Sequence, residues 1–379
     1  MRILHVSRSA ETIRAFLIPT MNAQKALGHE VFICAQESPQ ADQLRKAGFE
    51  VFTHRMPRNL NPVRAFQAIW NTWRVLTERR IDVVICHTSL GAVVGRIAAW
   101  FARTPRVVYF VHGLACGPAQ GPLSWQVRYR VEKVLGSWTD AIVVMNDYDE
   151  RLAKRAPLAR SADRVYRISS MGVDLGRFSM DGFAQIRDAV GRDLGIGPHQ
   201  KFVLCTARLI PEKGVVEFVE AAKRIVSLRS DIVFALAGTG PLFEPLKRSV
   251  EGAGLQDRIR VLGWRDDVPE LMKAADIFVL PSYFMEGLPV SIIEAMACGK
   301  PVVSTHHKGC EDAVVDGETG LLVPVKQVEP LVDRIVELLD DGALRARMGQ
   351  AGRRRVEEHF EFEACTRQIV TLLEQTMRR

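Results

Sequence analysis

The sequence has 379 residues, of which 47% are apolar and 25% charged, and this is the composition of a folded globular protein rather than a disordered chain. The length exceeds one ordinary hydrophobic core and fits two domains. The longest apolar run, residues 90–102, contains Arg96. It is also shorter than the about 20 apolar residues of a spanning helix, so no transmembrane segment is predicted.

The charge is divided unevenly along the chain. Residues 1–175 contain 24 Lys and Arg against 14 Asp and Glu, whereas the rest has a slight acidic excess. A basic half is expected to be attracted to an anionic surface such as lipid headgroups, a phosphorylated acceptor or nucleic acid. Solvated Arg-rich helices would give the same composition, and both interpretations stay open.

The cysteines and the N-terminus bear on location. Seven cysteines at scattered positions, without a C-x-x-C spacing, indicate buried free thiols in a reducing cytosol rather than disulfides or a zinc site. The N-terminal MRILHVS is strand-like and lacks a cleavage site, so no signal peptide is predicted. A cytoplasmic protein is therefore expected.

Short β-rich runs alternate with helical stretches through both halves. The runs are MRILHVS, HEVFICA, FEVFTHR, IDVVICH, RVVYFVH and DAIVVMN, then KFVLCTARL, IVFALAG, IRVLGW, IFVLPS, PVVST and GLLVP. This alternation predicts an α/β protein with two doubly wound, Rossmann-like domains, residues 1–178 and 179–360. The Gly- and Pro-rich segment 180–200 is the predicted linker. Ligands are expected beyond the carboxyl ends of the strands, in a cleft between the domains.

Two cations follow the first strand of the second half. In TARLIPEKGV, Arg208 and Lys213 lie on a loop that leads into a helix starting near Val215. A helix N-terminus favours an anion. A guanidinium and an ammonium at this spacing could clamp a diphosphate, and two solvated surface cations are the alternative.

Two glutamates lie in the otherwise apolar stretch SYFMEGLPVSIIEAMACGKPVVST. Glu286 is expected on a loop before a helix that begins at Pro289, and Glu294 inside that helix. The N–H groups near Gly287 and Leu288 could hold a phosphate. A carboxylate accepts two hydroxyl hydrogen bonds, which suits the vicinal diol of a ribose or sugar.

His112 follows the run RVVYFV directly, which places it at the tip of a buried strand. There it could bond a substrate hydroxyl or the charge that develops at a reacting carbon. A capping or core histidine is the alternative, and for His5 and His87 the core interpretation is kept.

Three further signals are weak. GTGP at residues 238–241 lacks the full G-x-G-x-x-G fingerprint. Asp147 and Asp149 form a D-x-D after a strand, for which helix capping is favoured over a metal role. His306 and His307 have no partner at metal-ligand spacing and are not assigned.

Taken together, these residues resemble the retaining glycosyltransferases of family 4, which have the GT-B fold of two facing Rossmann-like domains. The resemblance covers nearly the whole chain. It is carried by E-x7-E in EGLPVSIIEAMACGKPVVST, by ARLIPEKG, by AGTGP and by LGWRDDVPELMKAADIFVLPS. In the first half, HTSLGAVVGRIAA, VVYFVHG and GVDLGRF are also similar to this family. The order and spacing of the motifs make the resemblance specific.

The resemblance implies how the donor diphosphate is held. Arg208 and Lys213 would neutralise it, and the backbone N–H groups of Gly287 and Leu288 would contact the phosphates or the sugar. The family works without a metal, so no cofactor is expected besides the nucleotide-sugar co-substrate. The C-terminal helix, about residues 361–379, would cross back onto the first domain, although its sequence alone fits either domain.

The resemblance also implies roles around the nucleoside and the sugar. Glu294 would hold the ribose hydroxyls, and Trp264 and Arg265 would lie against the base. Glu286 would contact the donor sugar near its reacting face, and His112 would bond the sugar. The family transfers the sugar with retention, by front-face attack.

The first half looks most like the branch that builds capsule, exopolysaccharide or lipid-linked oligosaccharides. This implies a UDP-sugar donor, a polyprenyl diphosphate-linked saccharide acceptor and a peripheral position on the inner face of the cytoplasmic membrane. Anionic lipid attracts basic segments by about 1 kcal/mol per charge. The candidates for this membrane surface are Arg58, Arg64, Arg74, Arg79 and Arg80, with Trp70 and Trp73. A buried tryptophan pair is the competing interpretation.

Two loops depart from the family pattern. The loop after the first strand reads SRSAETIRAF instead of containing Gly-Gly, so Ser9, Ala10 and Glu11 are the candidates on the acceptor side. After His112 and Gly113 the sequence reads LACGPAQG, where the branch often has aromatic residues.

Three other functions remain as alternatives. A GT-B-fold sugar-nucleotide epimerase would bind the donor but need no acceptor. A non-catalytic nucleotide-sugar-binding protein would not need both cations and both glutamates, which are all present. A nucleic-acid binder is suggested only by the pI of about 9.1. The sequence has no nucleic-acid motif, so this alternative ranks last.

Overall fold

The computed structural model describes residues 1–54, 62–117 and 121–378, which form two compact units. The first unit comprises Met1–Met171 and Glu363–Arg379, and the second comprises Gly172–Phe362. The chain therefore passes between units at 171/172, earlier than the predicted 178/179. Among the described residues, no helix is long and apolar enough to cross a membrane.

The first unit is built on a parallel sheet with the strand order β3-β2-β1-β4-β5-β6-β7 in the described part of the chain. Its strands are β1 (Arg2–Val6), β2 (Glu30–Ala35), β3 (Glu50–Thr53), β4 (Val83–His87), β5 (Arg106–Phe110), β6 (Ala141–Val144) and β7 (Val165–Arg167). Its helices are α1 (Ala10–Phe16), α2 (Ile18–Ala26), α3 (Pro39–Lys46), α4 (Pro62–Glu78), α5 (Ser89–Ala102), α6 (Pro122–Gly136), α7 (Asp147–Arg155) and the C-terminal α16 (Phe362–Arg378). The strand order reverses between β1 and β4, as in doubly wound folds.

The second unit repeats this plan with the strand order β10-β9-β8-β11-β12-β13. Its strands are β8 (Lys201–Thr206), β9 (Ile232–Ala237), β10 (Ile259–Gly263), β11 (Ile277–Leu280), β12 (Val302–Thr305) and β13 (Gly320–Val323). Its helices are α8 (Phe183–Leu194), α9 (Val215–Leu228), α10 (Phe243–Glu251), α11 (Val268–Ala274), α12 (Val290–Ala297), α13 (Cys310–Ala313), α14 (Val328–Asp340) and α15 (Gly342–His359). The predicted α/β class with two Rossmann-like sheets is confirmed.

The predicted strands are present because their apolar runs are buried on both faces of a parallel sheet. Every residue of β9 is buried, for example, as is every residue of β4. Strand β7 was not predicted from the sequence, because it has only three residues and ends on an exposed arginine. All seven cysteines are buried free thiols.

The segment predicted as a linker is instead largely helical. Helix α8 lies within it, flanked by Gly182 and Gly195, which both adopt left-handed φ values. Val190 and Leu194 are buried, and the Arg187 guanidinium donates to two backbone carbonyls of the second unit. The linker prediction was wrong because the glycines mark the ends of a helix rather than a flexible connection.

The C-terminal helix α16 belongs to the first unit. It buries an apolar residue every four positions, namely Cys365, Ile369, Leu373 and Met377. The side chain of Gln368 accepts a hydrogen bond from the Ser169 N–H, and Glu374 lies 2.8 Å from His29 Nε2. These contacts hold the helix on the N-terminal domain, which is the placement that the resemblance implied.

Candidate active site

The candidate site of the second unit lies where β8 and β11 end. These strands are neighbours, and each is followed by a loop that leads into a helix, α9 after β8 and α12 after β11. The two loops meet at Gly214, whose φ is 70° and where a Cβ would overlap the carbonyl oxygen of Pro281. A residue without a side chain is therefore required for this close approach.

Lys213 and Glu286 form an ion pair between these loops. Lys213 Nζ lies 2.5 Å from Glu286 Oε1, and Glu286 is only 7% exposed. Burial by itself would raise the pKa of Glu286, but the charge and hydrogen bond of Lys213, with a hydrogen bond from Ser282, hold that pKa below its usual value. The site therefore contains a buried carboxylate that is ionised at neutral pH.

Residues that the sequence analysis left unassigned support the Glu286 loop. Ser282 Oγ donates to Glu286 Oε1 at 2.7 Å and accepts from the Phe284 N–H at 3.2 Å. His307 Nε2 donates to the Phe284 carbonyl oxygen at 2.7 Å, and Thr305 Oγ1 donates to the Ser282 carbonyl oxygen. Ser282 and His307 follow β11 and β12 by two residues, and Thr305 ends β12. These positions at the carboxyl ends of strands are the signal that could have identified them.

Arg208 and Lys213 lie against the same aromatic ring. Arg208 Cζ is 5.1 Å and Lys213 Nζ is 5.2 Å from the centroid of Phe284. Arg208 is exposed and forms no ion pair with another described residue. The guanidinium can therefore bind an anion in a bidentate manner, with the ammonium beside it as a point charge.

Glu294 lies inside α12 and is partly exposed. Burial raises the pKa of its carboxyl to about 7, and the charge of Arg177 opposes this shift. No described residue forms a hydrogen bond with this carboxyl, so it can accept hydrogen bonds from a ligand. The helix begins at Val290 rather than at Pro289, because Pro289 is extended, with a ψ of 108°, and occupies the N-cap position.

The turn GTGP packs against the loop that carries Arg208. A Cβ on Gly238 would overlap the Ala207 carbonyl oxygen, and one on Gly240 would overlap that of Leu209. The Leu209 N–H also donates to the carbonyl oxygen of residue 239 at 2.8 Å. These glycines therefore allow two loops to pair and so position Arg208, a role that the incomplete fingerprint did not reveal.

Trp264 and Arg265 follow β10 and differ in whether their side chains can contact a ligand. Trp264 is 62% exposed. Arg265 Nη2 lies 2.6 Å from Asp267 and 2.8 Å from Asp193, and these carboxylates raise the pKa of Arg265. The indole N–H of Trp264 donates to Asp266 Oδ1 at 2.8 Å, and its exposed ring can still stack on a planar ring. The Arg265 guanidinium is already engaged by protein carboxylates.

His112 lies in the first unit, two residues beyond the end of β5. Its Nε2 is 3.2 Å from Nδ1 of His87, and burial lowers the pKa of His112 to about 4. The loop that follows is anchored by Asp149, whose Oδ2 accepts from the Leu114 N–H at 2.9 Å. The imidazole is therefore neutral at physiological pH and can exchange hydrogen bonds with a hydroxyl group.

The D-x-D pair does not cap α7 itself. Asn146 is the N-cap, and its side chain accepts from the Asp149 N–H. Asp147 forms an ion pair with Arg151 at 2.7 Å. In the described ranges, no group of three or more His, Cys, Asp and Glu residues is arranged to hold a metal ion.

The altered loop after β1 forms the start of α1. Ser9 is the N-cap, and its Oγ accepts from the Thr12 N–H at 3.4 Å. Ala10 is buried, and Glu11 is exposed in the first helical turn. Of these three side chains, only Glu11 extends fully into solvent.

Two known protein families match successive parts of this chain. The family described as "Glycosyl transferases group 1" matches residues 187–355, and "Glycosyl transferase 4-like domain" matches residues 19–169. The crystal structure of HepE from Anabaena in complex with UDP and glucose superposes with a TM-score of 0.81 over 99% of both chains. Its sequence identity of 20% shows a shared fold alone.

Two curated bacterial relatives cover most of the chain. The UDP-Gal:alpha-D-GlcNAc-diphosphoundecaprenol alpha-1,3-galactosyltransferase of Escherichia coli is 29% identical, over 82% of this chain and 80% of the relative. The N,N'-diacetylbacillosaminyl-diphospho-undecaprenol alpha-1,3-N-acetylgalactosaminyltransferase of Campylobacter jejuni is 28% identical, over 92% of both chains.

Proposed function

The chain belongs to the family 4 glycosyltransferases with the GT-B fold, and from this premise we propose that it transfers a sugar from a UDP sugar to a polyprenyl diphosphate-linked saccharide. The observation that carries this proposal is the cluster of Arg208, Lys213 and Glu286, which combines two cations for a diphosphate with a carboxylate for sugar hydroxyls. The two relatives named as acting on diphosphoundecaprenol-linked sugars support the choice of acceptor.

In this proposal the donor diphosphate binds at the start of α12. Arg208 and Lys213 neutralise its charge, and the backbone N–H groups of Gly287 and Leu288 contact its oxygens. Negative charge develops on the nucleoside diphosphate as its bond to the anomeric carbon breaks, so cations placed here stabilise the leaving group without a metal.

The nucleoside is held by Glu294 of α12 and by the segment that follows β10. Glu294 accepts hydrogen bonds from the ribose hydroxyls, and Trp264 stacks on the base, with Arg265 fixed beside it. The UDP-Gal donor in the name of the Escherichia coli relative supports uracil as the base.

The reaction retains the anomeric configuration. The acceptor hydroxyl oxygen bonds to the anomeric carbon on the face from which the diphosphate departs, and its proton passes to the leaving phosphate oxygen. Glu286 binds hydroxyls of the donor sugar and orients it for this attack. In the first unit, His112 exchanges a hydrogen bond with a sugar hydroxyl. Ser9 and Glu11, at the start of α1, are the proposed acceptor-side contacts, with Ala10 packed beneath them.

Membrane association is proposed to use α6. Four apolar side chains on this helix, spaced four, four and three residues apart, are exposed and form one stripe: Leu123 (79%), Val127 (55%), Val131 (41%) and Val134 (58%). Arg128, Arg130 and Lys133 are exposed on the flanks. An apolar stripe flanked by cations is typical of a helix that lies in a lipid interface.

The residues that the sequence suggested for this surface contribute less. Arg74 pairs with Glu78 and Arg79 pairs with Glu50. Trp73 packs partly against the core, whereas Trp70 is half exposed. Arg58 lies outside the described residues. Arg80 lies two residues beyond the end of α4 and forms no ion pair with another described residue.

The transfer assay tests the proposed function. The purified protein is incubated with UDP sugars and GDP sugars and a synthetic polyprenyl diphosphate saccharide, with and without EDTA. We expect one product that is one sugar heavier, with the donor's anomeric configuration and an EDTA-insensitive yield. Conversion of the donor sugar without acceptor would instead establish an epimerase, and no turnover with any pair would contradict the proposal.

A further inference from the structure

Three histidines lie side by side at the carboxyl edge of the first sheet. His5 is on β1, His87 ends β4 and His112 follows β5. His5 is paired with Ile85 and His87 with Phe110 in the parallel register. Since residues two apart on a strand share a face, all three imidazoles extend from one face of neighbouring strands.

Hydrogen bonds join these rings into a chain. Nδ1 of His5 is 3.0 Å from Nε2 of His87, and Nδ1 of His87 is 3.2 Å from Nε2 of His112. At the other end, Nε2 of His5 is 2.9 Å from Oε1 of Gln24 on α2. His5, His87 and Gln24 are completely buried, so their polar atoms depend on one another for hydrogen bonds.

The Gln24 oxygen gives the chain a direction. Because this oxygen can only accept, His5 carries its proton on Nε2 and accepts at Nδ1. His87 therefore donates from Nε2 and accepts at Nδ1, and His112 in turn donates from Nε2. The Nδ1 of His112 is left as a hydrogen-bond acceptor at the open end of the chain, where the residue is only partly buried.

The protonation of the rings agrees with this arrangement. Burial lowers the pKa of His5 and His112 to about 4, and burial together with the two neighbouring histidines lowers that of His87 well below its usual value. Each ring therefore holds one proton at neutral pH, as a one-way chain requires.

We propose that Gln24, His5 and His87 are positioning residues that fix His112 as the Nε2-protonated tautomer, so that its Nδ1 accepts a hydrogen bond from a sugar hydroxyl. The sugar as the source of the hydroxyl rests on the proposed function. The tautomer is a property of the protein without substrate, so it can be tested separately. Histidines that only fill the core would not require one tautomer at His112.

Nitrogen NMR of the imidazole-labelled full chain tests the tautomer. We expect His5, His87 and His112 to give the neutral Nε2–H pattern between about pH 6 and about pH 8. Each signal is assigned by its absence in a His→Asn variant. A neutral Nδ1–H pattern or a protonated ring at His112 would overturn the inference, whatever the activity.

Gln24→Leu tests the direction of the chain. The Nε2 of Gln24 has no hydrogen-bond partner in the described structure. Leucine has a similar size, so this substitution removes only the hydrogen bond that the Gln24 oxygen accepts from His5. We expect mixed tautomers at His112 and a kcat about two- to tenfold lower, the worth of one neutral hydrogen bond, with an unchanged donor KM. The matched control is Thr20→Val, an equally buried position on α2 that should change neither quantity.

The outcomes separate the two proposals. Unchanged tautomers and unchanged kcat in folded Gln24→Leu, as judged by its melting temperature, would overturn the positioning inference. Full activity of His112→Ala with the expected NMR pattern would instead overturn the sugar contact of His112 and leave the tautomer assignment in place.

Discussion

Lys213 and Glu286 illustrate how single residues set the charge of the site. Their ion pair lies between two loops that are far apart in sequence, and each partner lowers the cost of burying the other. When a donor diphosphate binds, Lys213 can contact both the diphosphate and the Glu286 carboxylate. Arg208 forms no ion pair with another described residue, so it binds the diphosphate without giving up a protein contact. The two cations are therefore expected to differ in their effects on stability and on ligand binding.

The first prediction is that Lys213→Met destabilises the protein by about 3 kcal/mol at neutral pH, because it leaves the Glu286 carboxylate buried without its cation. In the wild type the lowered pKa of Glu286 contributes stability that is lost on acidification, whereas in the variant that pKa lies above its usual value. The difference between the proteins should therefore shrink as the pH falls below about 5. Urea unfolding of both proteins at neutral pH and at a pH below about 5 measures this difference in the free energy of unfolding.

The control for this variant is Lys247→Met, which removes an exposed helix pair with a distance of 4.0 Å. Such a pair is worth less than about 1 kcal/mol, so little change is expected. Equal stability losses in the two variants, or a Lys213→Met deficit that does not depend on pH, would show that the pair does not act as described.

The second prediction concerns Glu294, whose raised pKa of about 7 places its ionisation in the physiological range. An ionised carboxylate accepts stronger hydrogen bonds than a neutral acid, so the affinity for a UDP sugar should rise from pH 6 to pH 8, by at most about tenfold. Glu294→Gln should abolish this dependence and bind weakly throughout. Calorimetric titration with a UDP sugar, whose diphosphate does not titrate in this range, provides the measurement, and a pH-dependent Glu294→Gln would contradict the assignment.

For single residues, the sequence reveals the charged side chains that follow strands. It does not reveal the residues whose hydrogen bonds hold those side chains in place. Arg208, Lys213 and Glu286 could be proposed from their local motifs, and the structure brings them together. Ser282 and His307 also follow strands, but their contacts could not be predicted, because these depend on which strands are neighbours in the sheet. The hydrogen bond between His5 and Gln24 could not be predicted either, because it depends on how α2 packs against the sheet.

At the scale of elements, glycines decide how closely the loops of the site approach each other. Gly214 and Gly254 have nearly equal φ values, 70° and 69°. At Gly214 a Cβ would overlap the backbone of Pro281, whereas at Gly254 no atom lies within 4 Å. The two positions therefore separate the cost of the left-handed backbone from the cost of steric overlap.

The third prediction is that Gly254→Ala costs about 1 kcal/mol, the penalty for a left-handed alanine, whereas Gly214→Ala costs more and also weakens donor binding. The additional effect arises because the Lys213 loop must move away from Pro281. Melting temperatures and donor titrations of both variants measure the two costs. Similar behaviour of both variants would mean that the close approach has no role in the site.

The fourth prediction concerns helix α6. Val127→Asp should reduce binding to vesicles that contain anionic lipid about tenfold, because one valine is lost from the apolar contact and a like charge is added. Val216→Asp, at an exposed valine of the second unit, is the matched control and should have little effect. Sedimentation with vesicles at low and high salt is the measurement. Unchanged binding by Val127→Asp, or binding that salt does not weaken, would exclude this surface.

The elements themselves were largely predictable from the sequence. The buried strands stand out because a parallel sheet demands continuous apolar runs, and the main helices follow the helical period. Helix α8 was mistaken for a linker because its flanking glycines also occur in flexible connections. The three-residue β7 is too short to have a pattern of its own.

In the whole molecule, the two units differ in net charge, and this difference agrees with the different substrates that the proposed function gives them. The excess of positive charge lies in residues 1–175, which form most of the first unit and contain α6. In the slightly acidic second unit, Arg208 lies exposed just beyond the end of β8. An acceptor anchored in an anionic membrane and a soluble donor would thus be served by different units.

We propose that the second unit binds a nucleotide sugar through the cation cluster at the end of β8. The most direct test is calorimetric titration of UDP sugars and GDP sugars into the wild type, Arg208→Ala and the control Arg347→Ala, an exposed arginine on α15. We predict that one nucleotide class binds and that Arg208→Ala weakens it about ten- to hundredfold, the worth of charged hydrogen bonds. Arg347→Ala should bind like the wild type. Equal affinity of Arg208→Ala and the wild type, or no binding of any nucleotide sugar, would contradict the account.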